Sequence, residues 1–109
     1  MWKMRESKQL VINTGPLIAL VAALGDLRIL ETLYDQVIVP FDVGEEIMTG
    51  GASGFAVAQF EEAQWLQCRL QPIDIEPYLL NLLERGQASV IQLARGENIN
   101  LNPMRVATK

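Results

Sequence analysis

The side chains able to do chemistry are few, and several familiar kinds of catalysis lack an essential part. The chain has no histidine. That removes Ser-His-Asp and Cys-His catalysis, HExxH zinc sites and any imidazole general base together. A single cysteine, Cys68, leaves no intramolecular disulfide and no cysteine-built zinc cluster. Gly50-Gly51-Ala52-Ser53-Gly54 is rich in glycine, yet no Lys-Ser/Thr pair follows it. It is therefore a link between helices and not a phosphate-binding P-loop. Asn13 ends an apolar run just before an expected helix N-terminus, where backbone amides can receive a phosphate. An Asx turn is the simpler reading of that residue, and from Asn13 alone it is preferred.

Bulk properties narrow the field further. The net charge of −4 argues against nucleic-acid binding through a broad basic surface. It leaves room for an acidic metal cleft, which stays negative until its cation enters. Half of the 109 residues are apolar, so residues 1–109 are expected to form one small domain with a packed core and modest stability. The longest apolar run, Leu17 to Leu24, is far shorter than the roughly 20 residues that span a bilayer. Met1 to Lys8 carries mixed charge with no apolar segment directly after it, so no signal peptide and no membrane association are expected. The single cysteine fits a cytoplasmic protein.

These residues must be positioned by alternating strands and helices. Gln9 to Ile12 is a short apolar run and predicts a buried strand, closed by the turn Asn13-Thr14-Gly15-Pro16. Thr14 is expected to cap, and Pro16 to open, a helix through Leu17, Leu20, Val21 and Leu24 that stops at Gly25. Asp26 suits the N-cap of a second helix through Leu33. Val37 to Val39 predicts a strand ended by Pro40, and Asp42 to Met48 a helix stopped by Thr49-Gly50-Gly51. Phe55 to Leu66 predicts a helix with Glu61 and Glu62 on its wet side. Arg69 to Ile75 alternates as a short strand. Pro77 opens a helix over Tyr78 to Leu83, Gly86 separates it from another over Gln87 to Arg95, and Ile99 to Leu101 starts a last strand that Pro103 ends. Such alternation implies a mainly parallel sheet covered on both faces, with ligands beyond the carboxyl ends of its strands.

Val11-Ile12-Asn13-Thr14-Gly15-Pro16-Leu17-Ile18 resembles the opening of PIN domains: a strand ending in an acid, then Ser/Thr, then a helix with apolar pairs. The proline in this turn is similar to that of a poorly characterised prokaryotic PIN subfamily. The likeness continues through Val37-Ile38-Val39-Pro40 and Val43-Gly44-Glu45-Glu46-Ile47, and returns over Glu84 to Ala94. It runs in order from about the start of the chain to Leu101. The resemblance implies a PIN-like, Rossmann-like three-layer α/β fold with a mainly parallel sheet flanked by helices. The usual final strand and helix are missing, so the fold is expected to be C-terminally truncated, with an uncovered sheet edge that favours a homo-oligomer.

The resemblance also implies a chemistry. PIN domains gather three or four carboxylates at the top of the sheet, hold Mg²⁺ or Mn²⁺ there and hydrolyse RNA phosphodiesters. Hard cations take oxygen ligands, activate water and offset charge on the scissile phosphate. Many prokaryotic members are toxins restrained by a small antitoxin, so single-stranded RNA and an antitoxin are the implied partners. Position by position, Asn13 stands where the family has its first acid, Glu46 matches the second with Glu45 as the adjacent alternative, and Gln87 stands where the subfamily has Glu. Asn13, Glu46 and Gln87 are thus the implied metal-binding and catalytic positions, two of them neutral amides. No acid follows Leu101, and only Asp74, Glu76 and Glu97 remain to join the cluster. Weak metal binding and little or no turnover are expected. The alternative is a non-catalytic PIN-like remnant that binds protein or RNA, and a third reading is an unrelated small α/β interaction module.

Overall fold

The computed structural model describes residues 8–50, 54–99 and 105–108. Its frame is a four-stranded sheet in the order β3-β2-β1-β4, with β1 at Gln9–Ile12, β2 at Gln36–Val39, β3 at Gln67–Cys68 and β4 at Val106–Ala107. Every pairing is parallel: Leu10 faces Val37, Ile38 faces Gln67, and Val11 faces Val106. Parallel neighbours need crossovers, and helices supply them. Helices α1 (Thr14–Leu24) and α2 (Arg28–Leu33) join β1 to β2, α3 (Phe41–Met48) and α4 (Val57–Glu62) join β2 to β3, and α5 (Pro77–Leu82) and α6 (Arg85–Gly96) join β3 to β4. The sheet with its flanking helices is the α/β architecture expected from the alternation.

Strands β1 and β2 carry apolar side chains without alternation because both of their faces are covered. Val11, Ile38 and Val39 are fully buried, and Leu17 of α1, Val43 and Ile47 of α3 and Val90 of α6 pack into the same core. The chain moves from β1 outward through β2 to β3, then returns to the other side of β1 as β4. The strand order therefore reverses between β1 and β4, and the carboxyl ends of those strands are where such sheets place ligands. Asn13 and Thr108 follow those ends directly.

Several elements begin or end away from their expected places. Helix α1 starts at Thr14, and its cap is Asn13, whose side chain accepts from the Thr14 N–H; Gly25 closes it at φ 85°. The N-cap of the next helix is Leu27 and not Asp26, which lies one residue further out and accepts from Arg28 N at 3.1 Å. The helix expected over Phe55 to Leu66 is confined to Val57–Glu62, because the backbone leaves helical geometry at Ala63 (φ −84°, ψ 67°) on the approach to β3. The strand expected over Arg69 to Ile75 lies earlier, at Gln67–Cys68, where it pairs with Ile38 and Val39. Pro72 offers no donor to a ladder, which disfavours the later run. Gly86 lies inside α6 and does not separate helices; extended backbone at Leu83 and Glu84 makes the break. Of the last expected strand, Asn100 and Leu101 lie outside the described residues, while Ile99 is buried but not in a strand. The described strand beside β1 is Val106–Ala107, beyond Pro103.

Candidate functional site

Asn13 is nine-tenths buried at the reversal point of the sheet. Its Oδ1 accepts from Thr14 N at 2.8 Å and its Nδ2 donates to the Thr108 carbonyl at 2.9 Å. One end of the amide must therefore be oxygen and the other nitrogen, which fixes its orientation. Helix α6 comes close on the remaining side: a Cβ placed on Gly86 would lie 2.9 Å from Asn13 Oδ1. Glycine at position 86 is what lets the first turn of α6 approach the end of β1.

A second cluster joins α6 to α3. Ser89 is fully buried, and its hydroxyl donates to Asp42 Oδ2 at 2.7 Å. Arg85 reaches the other carboxylate oxygen, with Nε 3.4 Å from Oδ1. Arg85 and Ser89 are four residues apart and so share a helix face. The Asp42 side chain is 19% exposed and that of Arg85 57%. An ion pair this open and this long contributes little, so the Ser89 bond is the stronger tie.

The three implied positions fare differently. Asn13 is at the site, with its amide engaged at both ends. Gln87 is half-buried on the first turn of α6, next to Gly86. Glu46 is exposed on α3, four residues beyond Asp42 and on the same side of that helix, and Glu45 is exposed beside it. Asp74, Glu76 and Glu97 have other surroundings. Glu97 pairs with Arg69 at the far end of α6, Nε to Oε2 3.2 Å. Asp74 is exposed, and Glu76, the exposed N-cap of α5, binds Gln92 through its backbone N–H.

The sequence alone assigns no role to Asp42, Arg85 or Ser89. The spacing of Arg85 and Ser89, and that of Asp42 and Glu46, is a signal that each pair shares a helix face. Nothing in the sequence shows that the two faces meet. Thr14 adds a further feature: its Oγ1 is buried and has no hydrogen-bond partner among the described residues.

These donors do not suit a divalent cation. Mg²⁺ and Mn²⁺ require several free oxygens with net negative charge. Among the described residues, no group of three His, Cys, Asp or Glu side chains could hold a metal ion. Asp42, the carboxylate that α6 engages among the described residues, is already bound by a hydroxyl and faced by a guanidinium. The amide of Asn13 supplies no charge.

Away from this cluster, an apolar groove of about 500 Å³ runs between α1, α2 and the sheet. Leu10, Ile12, Leu20, Ile29, Leu33 and Ala107 line it. Leu33 is 55% exposed, so a large side chain is left in water along its rim. Among the described residues, no helix is long and apolar enough to cross a membrane.

A family model described as a PIN domain matches residues 9–101. No curated protein and no solved structure matches the chain significantly.

Proposed function

The chain belongs to the PIN-domain family, and from that premise we propose that it is a non-catalytic member that acts by binding a protein partner. PIN domains generally use divalent metals, so the state of the acidic site decides between cutting and binding. The observation that carries the proposal is the engagement of Asp42 by Ser89 and Arg85, together with an Asn13 amide whose two ends are both bonded. A protein is favoured over RNA as the partner by the net charge of −4 and by the apolar groove.

The second reading is a Mg²⁺- or Mn²⁺-dependent ribonuclease of toxin type, acting on single-stranded RNA in the cytoplasm and restrained by a small antitoxin. Family membership supports it, as does Glu46, which offers an exposed carboxylate one helical turn from Asp42. In that reading Glu46, Asn13 and Gln87 bind the cation.

Incubation of the folded chain with labelled single-stranded RNA and Mn²⁺, beside Glu46→Ala and Asp42→Ala, separates the two. The expected result is no cleavage above the protein-free control in any of the three samples. Metal-dependent cleavage by the wild type that disappears in either variant would establish the nuclease and end the binding-only proposal.

A further inference from the structure

Strand β4 is two residues long and lies at the edge of the sheet. Its backbone ties to β1 include Val11 N to the Arg105 carbonyl at 2.9 Å and Asn13 N to the Ala107 carbonyl at 2.8 Å. The Asn13 side chain adds a further tie one residue on, from Nδ2 to the Thr108 carbonyl. This pattern is specific to an amide. A donor must face the Thr108 carbonyl while an acceptor faces the Thr14 N–H, and a carboxylate offers two acceptors. An aspartate here would keep the helix cap but set oxygen against oxygen at Thr108. Ala107, held by the same ties, forms part of the wall of the apolar groove.

We infer that Asn13 is a clasp: its side-chain amide fastens the edge strand β4, and with it one wall of the apolar groove, at the position where the PIN family resemblance puts the first metal-binding acid. The hydrogen bond to Thr108 draws the ends of β1 and β4 together without metal. The inference rests on reading the site as metal-free. The neutral amide at position 13 is required and not merely tolerated.

Amide hydrogen exchange followed by NMR on the full chain tests the clasp, using Asn13→Asp and Asn13→Ser. Serine keeps an N-cap oxygen for Thr14, carries no charge and is too short to reach Thr108, so it decides the matter if the aspartate variant does not fold. The expected result in either folded variant is exchange about tenfold faster at the amides of residues 11 and 13, which bond to β4, matching the loss of one hydrogen bond. Amides bonded between β1 and β2 keep their wild-type rates, and Mg²⁺ does not restore protection. Wild-type protection at residues 11 and 13, a uniform rise across all core amides, or recovery of the aspartate variant with Mg²⁺ would each overturn the clasp. The first two outcomes would leave the non-catalytic reading intact, because that reading stands on Asp42 and is decided by RNA cleavage. Recovery with Mg²⁺ would instead show that the position still takes a cation.

Discussion

Gly86→Ala sets two known effects against each other, and the structure decides the sign. Replacing glycine by alanine within a helix gains up to about 1 kcal/mol, and less near the end of α6, where Gly86 lies. The added Cβ, however, would lie 2.9 Å from Asn13 Oδ1, about 0.5 Å inside the 3.4 Å at which ordinary contact begins. Asn13 has no room to yield without cost. Its two side-chain bonds, at 2.8 and 2.9 Å, contribute about 1 kcal/mol each. Overpacking of this kind typically costs about 1–3 kcal/mol, so the net expectation is a loss of roughly 1–2 kcal/mol. In urea unfolding this lowers the midpoint by about 1 M at an unchanged slope. The same change in an Asn13→Gly background removes the obstacle and should become neutral or stabilising by up to about 1 kcal/mol. A Gly86→Ala protein more stable than wild type, or a coupling between the two sites below about 0.5 kcal/mol, would refute the close approach of α6 to β1.

Three further outcomes follow from the same geometry. Ser89→Ala leaves Asp42 without its buried donor and should cost about 1.5–3 kcal/mol in urea unfolding, as expected for a hydrogen bond to a charged group. Thr14→Val replaces the unpartnered buried hydroxyl with a methyl of similar shape, and is expected to leave stability unchanged or raise it by up to about 1 kcal/mol; a loss above that size would mean the hydroxyl has a partner in solution. Burial raises the pKa of the Cys68 thiol, so alkylation of the native protein should turn on at higher pH than alkylation of a cysteine peptide. Because the unfolded thiol ionises first, the protonated thiol's contribution is complete below the ordinary thiol range and is lost as pH rises through the native pKa.

The frame of the fold was legible because buried parallel strands are written as unbroken apolar runs. Gln9 to Ile12 and Val37 to Val39 could be placed within a residue on that basis. Two-residue strands carry no such signature. Cys68 is in β3 only because Val39 and its neighbours hold that segment, and β4 exists because β1 offers a free edge. Gly86 misled for a related reason: glycine reads as a break, whereas here it makes room for Asn13 within a helix. At the site, Asn13 was visible as a strand end before a helix. Its bond to Thr108 spans 95 residues of sequence and has no local sign. Asp42 meets Ser89 across 47 residues, which only the packing of α3 on α6 brings together.

Calorimetric titration of the folded wild-type chain with Mn²⁺ tests the metal-free account most directly. No saturable heat is expected up to millimolar metal, with the same flat trace for Asp42→Asn. Stoichiometric binding by the wild type that is lost in Asp42→Asn would contradict it, and would mean that Ser89 and Arg85 release the carboxylate to a cation.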